Sequence, residues 1–468
     1  MTSFTHLPPA LAPIFRPVAS IRSAQSPLSA MGSAINLSDI GTLLSRDDAQ
    51  FQQESVADLL NATSRRFPGA QPVSFCKEHF EELLREDYFM CEKTDGIRCL
   101  LYLTKFVDEV GRDVEMQFLI DRKNDYYFVP TDAVHIPCVP DPRNRESVAQ
   151  GFELAGFHTG TLVDGELVRQ RSRDGGTRLA YLMFDILALD HQQIMDRPFD
   201  KRMARLEAFV WKPYRKFAEK YREDADAQPF QLAMKGMDFP YATQQMFREK
   251  IPKLPHGNDG LIFTCVSTPY RMGTDDHILK WKPPHENTID FRLQIAAFPT
   301  LEDSEGEYED YDAIPTIELL IYLGHNNPEG PYRRHAYLHL TSSEWEAMKR
   351  MNQAFDHRII ECWREPTTGH WRPKIEEDGT PRFRDDKDEA NHVSTVNSVI
   401  RSIEDAVSEE DLMRAAEGIR ARYKERLRRR EEEAKRAEEE ERRRRAVAQQ
   451  QQQQKREEEV DDGPRYED

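Results

Sequence analysis

The chain has 468 residues, of which 38% are hydrophobic and 32% charged, enough for two domains and terminal tails. No run approaches the roughly 20 apolar residues a membrane-crossing helix needs, and six scattered cysteines without a Cys-x-x-Cys pair predict reduced thiols inside a cell and argue against a zinc site. A net charge of −18 excludes a surface that holds nucleic acid along its whole length; any such contact must be local or confined to a chain end.

Residues 1–45 are rich in Pro, Ser and Ala, have no acid before Asp39, and are expected to be a disordered tail. Arg16 and Arg22 give this start some likeness to a transit peptide, without an amphipathic helix to complete it. Polar helical segments follow around the Pro68-Gly69 turn, with Phe80, Leu83 and Leu84 as an apolar face. From Lys93 to Pro284 short strands alternate irregularly with helices. Strands are expected at 117–122 and 126–129, and a strand pair at 162–168 and 179–187 around the loop 171–176. Residues 196–225 read as amphipathic helix. The fold class is therefore α+β: over 46–284, mostly antiparallel sheets with helices carry a cleft. Strands near 288–298, 317–323, 335–340 and 358–363 predict a small barrel domain over 285–395. A helix over 396–425 follows, with Ile400, Ile403, Val407, Leu412, Ala415 and Ile419 on its apolar side. The tail 426–468 is Arg/Glu- and then Gln-rich, too poor in apolar residues for a coiled-coil seam. Either a solvated helix or disorder fits it.

The chemistry concentrates at Glu92-Lys93-Thr94-Asp95-Gly96, a polar turn between two strand-like runs. Asp-Gly predicts a hairpin, with glycine supplying positive φ. Lys93 then ends a strand with its amine outward. A lysine amine is a nucleophile only when neutral, and its ordinary pKa is about 10.4. Desolvation or a neighbouring cation favours the neutral form, and Arg98 is placed to supply one. A hairpin with a solvated lysine is the plainer alternative.

The longer string Lys-x-Asp-Gly-x-Arg resembles the nucleotidyl-lysine motif of the covalent nucleotidyltransferases: mRNA capping enzymes and ATP-dependent DNA and RNA ligases. The resemblance implies that Lys93 attacks a nucleoside triphosphate and carries the nucleotide as a phosphoamide. Further strings occur in the family's order. Asp164-Gly165-Glu166 lies within an apolar strand, where carboxylates are costly unless they bind something. Strand geometry puts both acids on one face, and solvated acids on an edge strand are the alternative. The family implies that Glu166 approaches ribose or metal. The run 181–187 reads as core, yet resembles the strand whose Phe184 stacks on the base. Lys235, in Ala-Met-Lys-Gly-Met, stands where capping enzymes place a donor to guanine O6, although a surface lysine reads the same way. Asp259-Gly260-Leu261-Ile262 would, in isolation, be a turn into a core strand. By resemblance Asp259 binds Mg²⁺ or Mn²⁺, which suit oxygen ligands, and Ile262 covers the other face of the base.

Lys280 and Lys282, in Leu-Lys-Trp-Lys-Pro, share one face of a strand while Leu279 and Trp281 share the other. Two neighbouring ammonium groups repel, so an anion between them gives the arrangement a purpose, and the family uses such a pair on the α-phosphate. Arg384-Asp385-Asp386-Lys387 with Asn391 resembles the motif closing the capping-enzyme OB-fold, which implies that Arg384 and Lys387 meet the β- and γ-phosphates on domain closure. Arg98 and Arg122 complete the implied GTP contacts.

The chain is thus similar to mRNA guanylyltransferases of the fungal type, over roughly residues 45–425. The phosphatase signature of bifunctional animal enzymes is missing: Cys265 and Arg271 share its Cys-x5-Arg spacing, but Thr264 precedes the cysteine. The resemblance implies GMP transfer from GTP to a 5′-diphosphate RNA end, a separate RNA 5′-triphosphatase subunit, the phosphorylated tail of RNA polymerase II as partner, and a nuclear location. A polynucleotide ligase, or an inactive scaffold with the same fold, are the alternatives.

Overall fold

The computed structural model describes residues 35–131, 133–139, 146, 151–172, 175–303, 306–376 and 378–461. The expected leading tail lies outside these as far as residue 34. From there the chain belongs to the fold, because Leu37 and Ile40 are buried in the main core.

The larger domain contains strands β1 (Thr42–Leu43), β2 (Ala70–Ser74), β3 (Tyr88–Thr94), β4 (Ile97–Val107), β5 (Asp113–Ile120), β6 (Tyr126–Val129), β7 (Thr161–Arg171), β8 (Thr177–Leu189), β9 (Gln192–Gln193), β10 (Gln231–Met234), β11 (Asn258–Cys265) and β12 (Gly273–Trp281). They form two sheets. One has the order β1-β6-β5-β4-β7-β8-β10, with β9 beside β8; the other has the order β2-β12-β11-β3. Two ladders are parallel, β10 on β8 and β2 on β12, and the rest are antiparallel. The sequence-predicted class and the strand pair at β7 and β8 hold.

The near-continuous apolar run of β4 has a simple cause. Side chains alternate across a strand, so Cys99, Leu101 and Leu103 enter one core cluster while Leu100 and Tyr102 enter another. Both faces of this sheet are covered. Each such side chain, fully buried, contributes about 1.5–3 kcal/mol, which makes the sheet a rigid base for the polar residues at its open end.

The smaller domain holds β13 (Thr288–Ala297), β14 (Thr300–Asp303), β15 (Gly306–Glu309), β16 (Thr316–Tyr322), β17 (Tyr332–Tyr337), β18 (Ile359–Arg364) and β19 (Trp371–Pro373). Five of these form an antiparallel sheet in the order β17-β16-β13-β18-β19 around Phe291, Leu319 and Ile360. The expected closed barrel is not found among the described residues. The sheet curls until its edges meet at one bridge, Leu338 to Trp371, with the His339 N–H donating to the Trp371 carbonyl at 2.9 Å.

The single helix expected over 396–425 is two. Val393–Glu404 packs on the small domain, and Glu409–Asp461 runs back over the larger one. Between them Ser408 accepts the Asp411 N–H at 3.1 Å and starts the second helix. Trp281 donates its indole N–H to the Val407 carbonyl at 2.9 Å. Val407, Leu412 and Ile419 then bury themselves against Phe75, Leu83, Phe263 and Trp281, covering the outer face of the second sheet. Of the two forms open to the tail, helix is the one observed as far as Asp461.

Candidate active site

The functional residues face one another across the gap between the two sheets. β3 ends at Thr94 and β4 begins at Ile97, yet these strands do not pair. β3 is the edge of the second sheet, whereas β4 lies inside the first. The expected hairpin is instead a crossing from one sheet to the other, and it leaves Lys93 at the seam. Gly96 does not take a positive φ. A Cβ at that position would stand 2.5 Å from the Leu167 carbonyl oxygen, so glycine is required by the close approach of β7.

The Lys93 amine lies 2.6 and 2.7 Å from the two carboxylate oxygens of Asp259, and Lys282 reaches the same carboxylate at 2.9 Å. Burial pushes the Asp259 carboxyl up, but Lys93 and Lys282 outweigh it and hold the group below the usual carboxylate range. Gly260, at φ +145°, lets this segment lie against the end of β12, since a Cβ would fall 2.0 Å from the Trp281 carbonyl oxygen. β12 is an interior strand with Leu279 and Trp281 buried, which places Lys280 and Lys282 on the cleft side as the alternation predicted. Lys280 has no side-chain hydrogen bond or ion pair among the described residues. Loss of water, then Lys282, Lys93 and Arg122, depress its amine below the usual lysine value.

Arg98 does not serve as the cation beside Lys93. Its guanidinium makes two bonds to Asp164, at 3.0 and 2.6 Å, and a third to the Ala70 carbonyl. The reason is register: the expectation considered only sequence distance, while β4 pairs with β7 and sets Arg98 opposite the acidic strand. The cations that gather round the amine are Lys280 and Lys282.

Behind Lys93 a cavity of about 110 Å³ is lined by Lys93, Arg98, Arg122, Glu166, Phe184, Lys235 and Ile262, all named from the sequence, and also by Thr94, Asp164 and Tyr270. Phe184 reaches it through a bulge. Asp164 pairs with Asp185 and Gly165 with Met183, so Phe184 is the extra residue turned out of the ladder. The Arg98 guanidinium lies 5.5 Å and the Lys235 amine 5.7 Å from its ring centre. Ile262 comes from the other sheet, on β11. Lys235 is buried, not a surface lysine. Its amine donates to the Thr94 hydroxyl at 2.8 Å and stands 3.7 Å from Glu166, and that hydroxyl donates in turn to Glu166.

Asp164 is fully buried and takes a 2.6 Å hydrogen bond from Tyr270 besides the Arg98 fork. β7 is an interior strand, so its acids are not the solvated acids of an edge. Thr94 and Tyr270 escaped the sequence reading. Thr94 was only the variable position inside Lys-x-Asp-Gly, and nothing in sequence ties Tyr270 to a residue 106 positions earlier.

Arg384, Lys387 and Asn391 are not brought to Lys93. They converge on Asp290 of β13: Arg384 at 3.4 Å, the Asn391 amide at 3.4 Å, and Lys387 in direct contact. Arg384 also forks onto Asp386 at 2.9 and 2.8 Å. The group is one assembly within the small domain and does not line the cavity.

Asp259, the carboxylate that the resemblance assigns to a divalent cation, is held here by Lys93 and Lys282. Among the described residues no cluster of three or more His, Cys, Asp or Glu side chains forms a ready metal cage. One carboxylate completed by phosphate oxygens and water is how Mg²⁺ is commonly held at nucleotide sites, and Asp259 fits that donor set.

A base-sized recess, an amine at its mouth and the cations Lys280 and Lys282 beside that amine make up a nucleotidyl-transferring site. Residues 36–284 match the family described as mRNA capping enzyme, catalytic domain, and residues 286–413 match mRNA capping enzyme, C-terminal domain. The chain belongs to the mRNA capping enzyme family. It is 42% identical over 408 residues to the mRNA-capping enzyme subunit alpha of Neurospora crassa, covering 84% of this chain and 95% of that one. It is 39% identical to the protein of the same name from Schizosaccharomyces pombe, covering 82% and 89%. A solved structure of mycobacterial DNA ligase D complexed with ATP and MES aligns with 68% of this chain and 95% of its own, at 16% identity and a TM-score of 0.30.

Proposed function

We infer that the protein is an mRNA guanylyltransferase that transfers GMP from GTP, through a phosphoamide on Lys93, to the 5′-diphosphate end of RNA. The observation that carries this is the position of the Lys93 amine, at the seam of two sheets between a base-sized recess and the cations Lys280 and Lys282. The purine stacks between Phe184 and Ile262, and Lys235 offers a donor to guanine O6, where adenine would present an amine. Stacking of this kind is worth about 1–3 kcal/mol and does not select the base; the lysine does.

In the first step the neutral Lys93 nitrogen bonds to the α-phosphorus, the bond to the bridging oxygen breaks, pyrophosphate leaves, and the nitrogen gives up one proton to water or to the departing pyrophosphate. The Lys93–Asp259 pair must open for this, and Asp259 keeps the amine aimed until it does. Lys280 and Lys282 lie against the α-phosphate and offset charge building on its oxygens. Asp259 and Glu166 are the carboxylates in the cleft that would hold a divalent cation, which would supply further neutralisation of phosphate charge. In the second step an oxygen of the RNA 5′-diphosphate attacks phosphorus, the P–N bond breaks, and Lys93 recovers its proton. Arg384 and Lys387 act on the β- and γ-phosphates only if the small domain swings over the cleft, since they rest on Asp290. Under this reading the partners are an RNA 5′-triphosphatase subunit and the phosphorylated polymerase tail, and the protein works in the nucleus.

Incubation with α-labelled GTP or ATP and Mg²⁺, followed by denaturation, tests the reading. Label retained from GTP and lost in Lys93→Ala supports it. Label from ATP alone points to a ligase, and no label from either points to an inactive scaffold.

A further inference from the structure

The small domain carries a second concave surface of different chemistry. A groove of about 450 Å³ lies where β17 and β19 meet, lined by His335, Tyr337, His339, Arg364, His370 and Trp371. Its floor is structural: His335 stacks on Phe291 with ring centres 5.6 Å apart, and Trp371 meets the same ring edge-on at 5.0 Å.

The remaining residues keep aromatic surface open to solvent, with the Arg334 guanidinium 5.1 Å from the Tyr337 ring centre. The His339 and His370 rings are exposed and lie parallel, 3.7 Å apart with 4° between their planes. Tyr337 is 44% exposed. Arg364 bonds the Gly369 carbonyl at 3.3 Å and has no carboxylate partner among the described residues. β17 is also bulged, since Leu319 pairs with Ala336 and Leu320 with Arg334, leaving His335 as the extra residue that turns this edge toward the groove. Burial, then Arg333 and Arg364, hold the His335 imidazole below its usual range, and burial, then His370 and Arg372, do the same to His339. Aromatic rings beside a guanidinium without a carboxylate partner form a stacking platform with a phosphate contact at its side.

We propose that this groove binds single-stranded RNA, taking one or two bases of the acceptor transcript on Tyr337, His339 and His370 with Arg364 on the adjoining phosphate. The inference rests on the reading that the acceptor is an RNA end. It also confines nucleic-acid contact on an acidic protein to one short aromatic groove with a single guanidinium, instead of a long basic face. Glu404 also lines the groove; it repels phosphate and accepts from a base amine or a ribose 2′-hydroxyl, so the proposal puts the backbone on Arg364. A phosphopeptide fits less well, because each phosphate brings a charge of about −1.5 to −2 against one unpaired guanidinium in a groove that also holds the Glu404 carboxylate.

The test uses the full chain, a short 5′-diphosphate RNA and GTP. The double variant His339→Ala/His370→Ala should bind RNA about 10-fold or more weakly and raise KM for RNA, with kcat and the rate of labelling by GTP unchanged. Arg364→Gln should reduce the salt dependence of RNA binding by about the 0.7 expected for one single-strand phosphate. Unchanged RNA affinity and KM in the double variant would overturn the proposal, as would loss of binding to a phosphorylated polymerase-tail peptide in place of RNA. Photocrosslinking of thiouridine-bearing RNA to the unmodified protein gives a reading independent of any variant: adducts within 335–339 or 370–371 support the groove, and adducts confined elsewhere contradict it. Failure of the guanylyltransferase reading would appear separately, as absence of GTP label in the unmodified protein.

Discussion

At the residue scale, the cleft is a set of short charge-balanced contacts whose members come from both sheets. Thr94 is the clearest case. Its hydroxyl accepts from Lys235 and donates to Glu166, so one side chain fixes both the proposed base-reading cation and the neighbouring carboxylate. Hydrogen bonds to charged groups contribute about 1.5–3 kcal/mol each. Thr94→Val should therefore raise KM for GTP roughly 10- to 100-fold, with the Lys93 label still forming at saturating GTP; steady-state kinetics checks it. Lys93, Phe184, Lys235, Ile262 and Glu166 were legible in the sequence because each sits inside a short string with its own chemistry, and the cavity wall assembles them. Thr94 and Tyr270 were not, because a neutral hydroxyl acquires a role only from what the fold places beside it. Arg98 was legible as a residue and misjudged in its partner, since only the pairing of β4 with β7 brings its guanidinium to Asp164.

At the scale of elements, the decisive feature is that β3 and β4 belong to different sheets. Their sequences are two apolar runs joined by Asp-Gly, which is also what a hairpin looks like, and no local signal separates the two outcomes. The consequence is specific to Gly96, which must lie against the β7 backbone. Gly96→Ala would place a methyl 2.5 Å from the Leu167 carbonyl oxygen and 2.7 Å from a methyl of Val168. Overpacking of this kind costs about 1–3 kcal/mol, and here the strain falls on the turn that aims Lys93. Urea denaturation should show a loss in that range, and GTP labelling should fall more steeply than stability does. Strand identity elsewhere was readable: the apolar runs at β7 and β8 and the alternation at Lys280 and Lys282 leave their marks in composition. The barrel was less so, because strand spacing reports how many strands there are and not whether the last hydrogen-bonds the first.

At the scale of the whole molecule, the chain returns to its first domain after building its second. The helix Glu409–Asp461 covers the outer face of the β2-β12-β11-β3 sheet, and Arg426 ties it down through Asp87 at 2.8 Å. Ending the chain after residue 404 would remove Val407, Leu412 and Ile419 from that contact. At about 1.5–3 kcal/mol per buried side chain, the truncated protein should lose most of a typical domain's stability, while ending it after residue 430 should leave Tm and GTP labelling unchanged. Thermal melts of the two truncations decide this, and a catalytic defect in the longer one would assign the tail a role beyond support. The same scale separates Arg384 and Lys387 from Lys93. The motif order made them look like parts of one site, whereas the fold parks them on Asp290 in the small domain.

The central claim is that the nitrogen of one side chain bonds to phosphorus. Protein incubated with GTP and Mg²⁺, digested and analysed by mass spectrometry, should yield the peptide spanning Lys93 with one GMP attached through an acid-labile, alkali-stable bond. GMP attached to another residue, or no adduct when GTP and Mg²⁺ are in excess, would contradict the account.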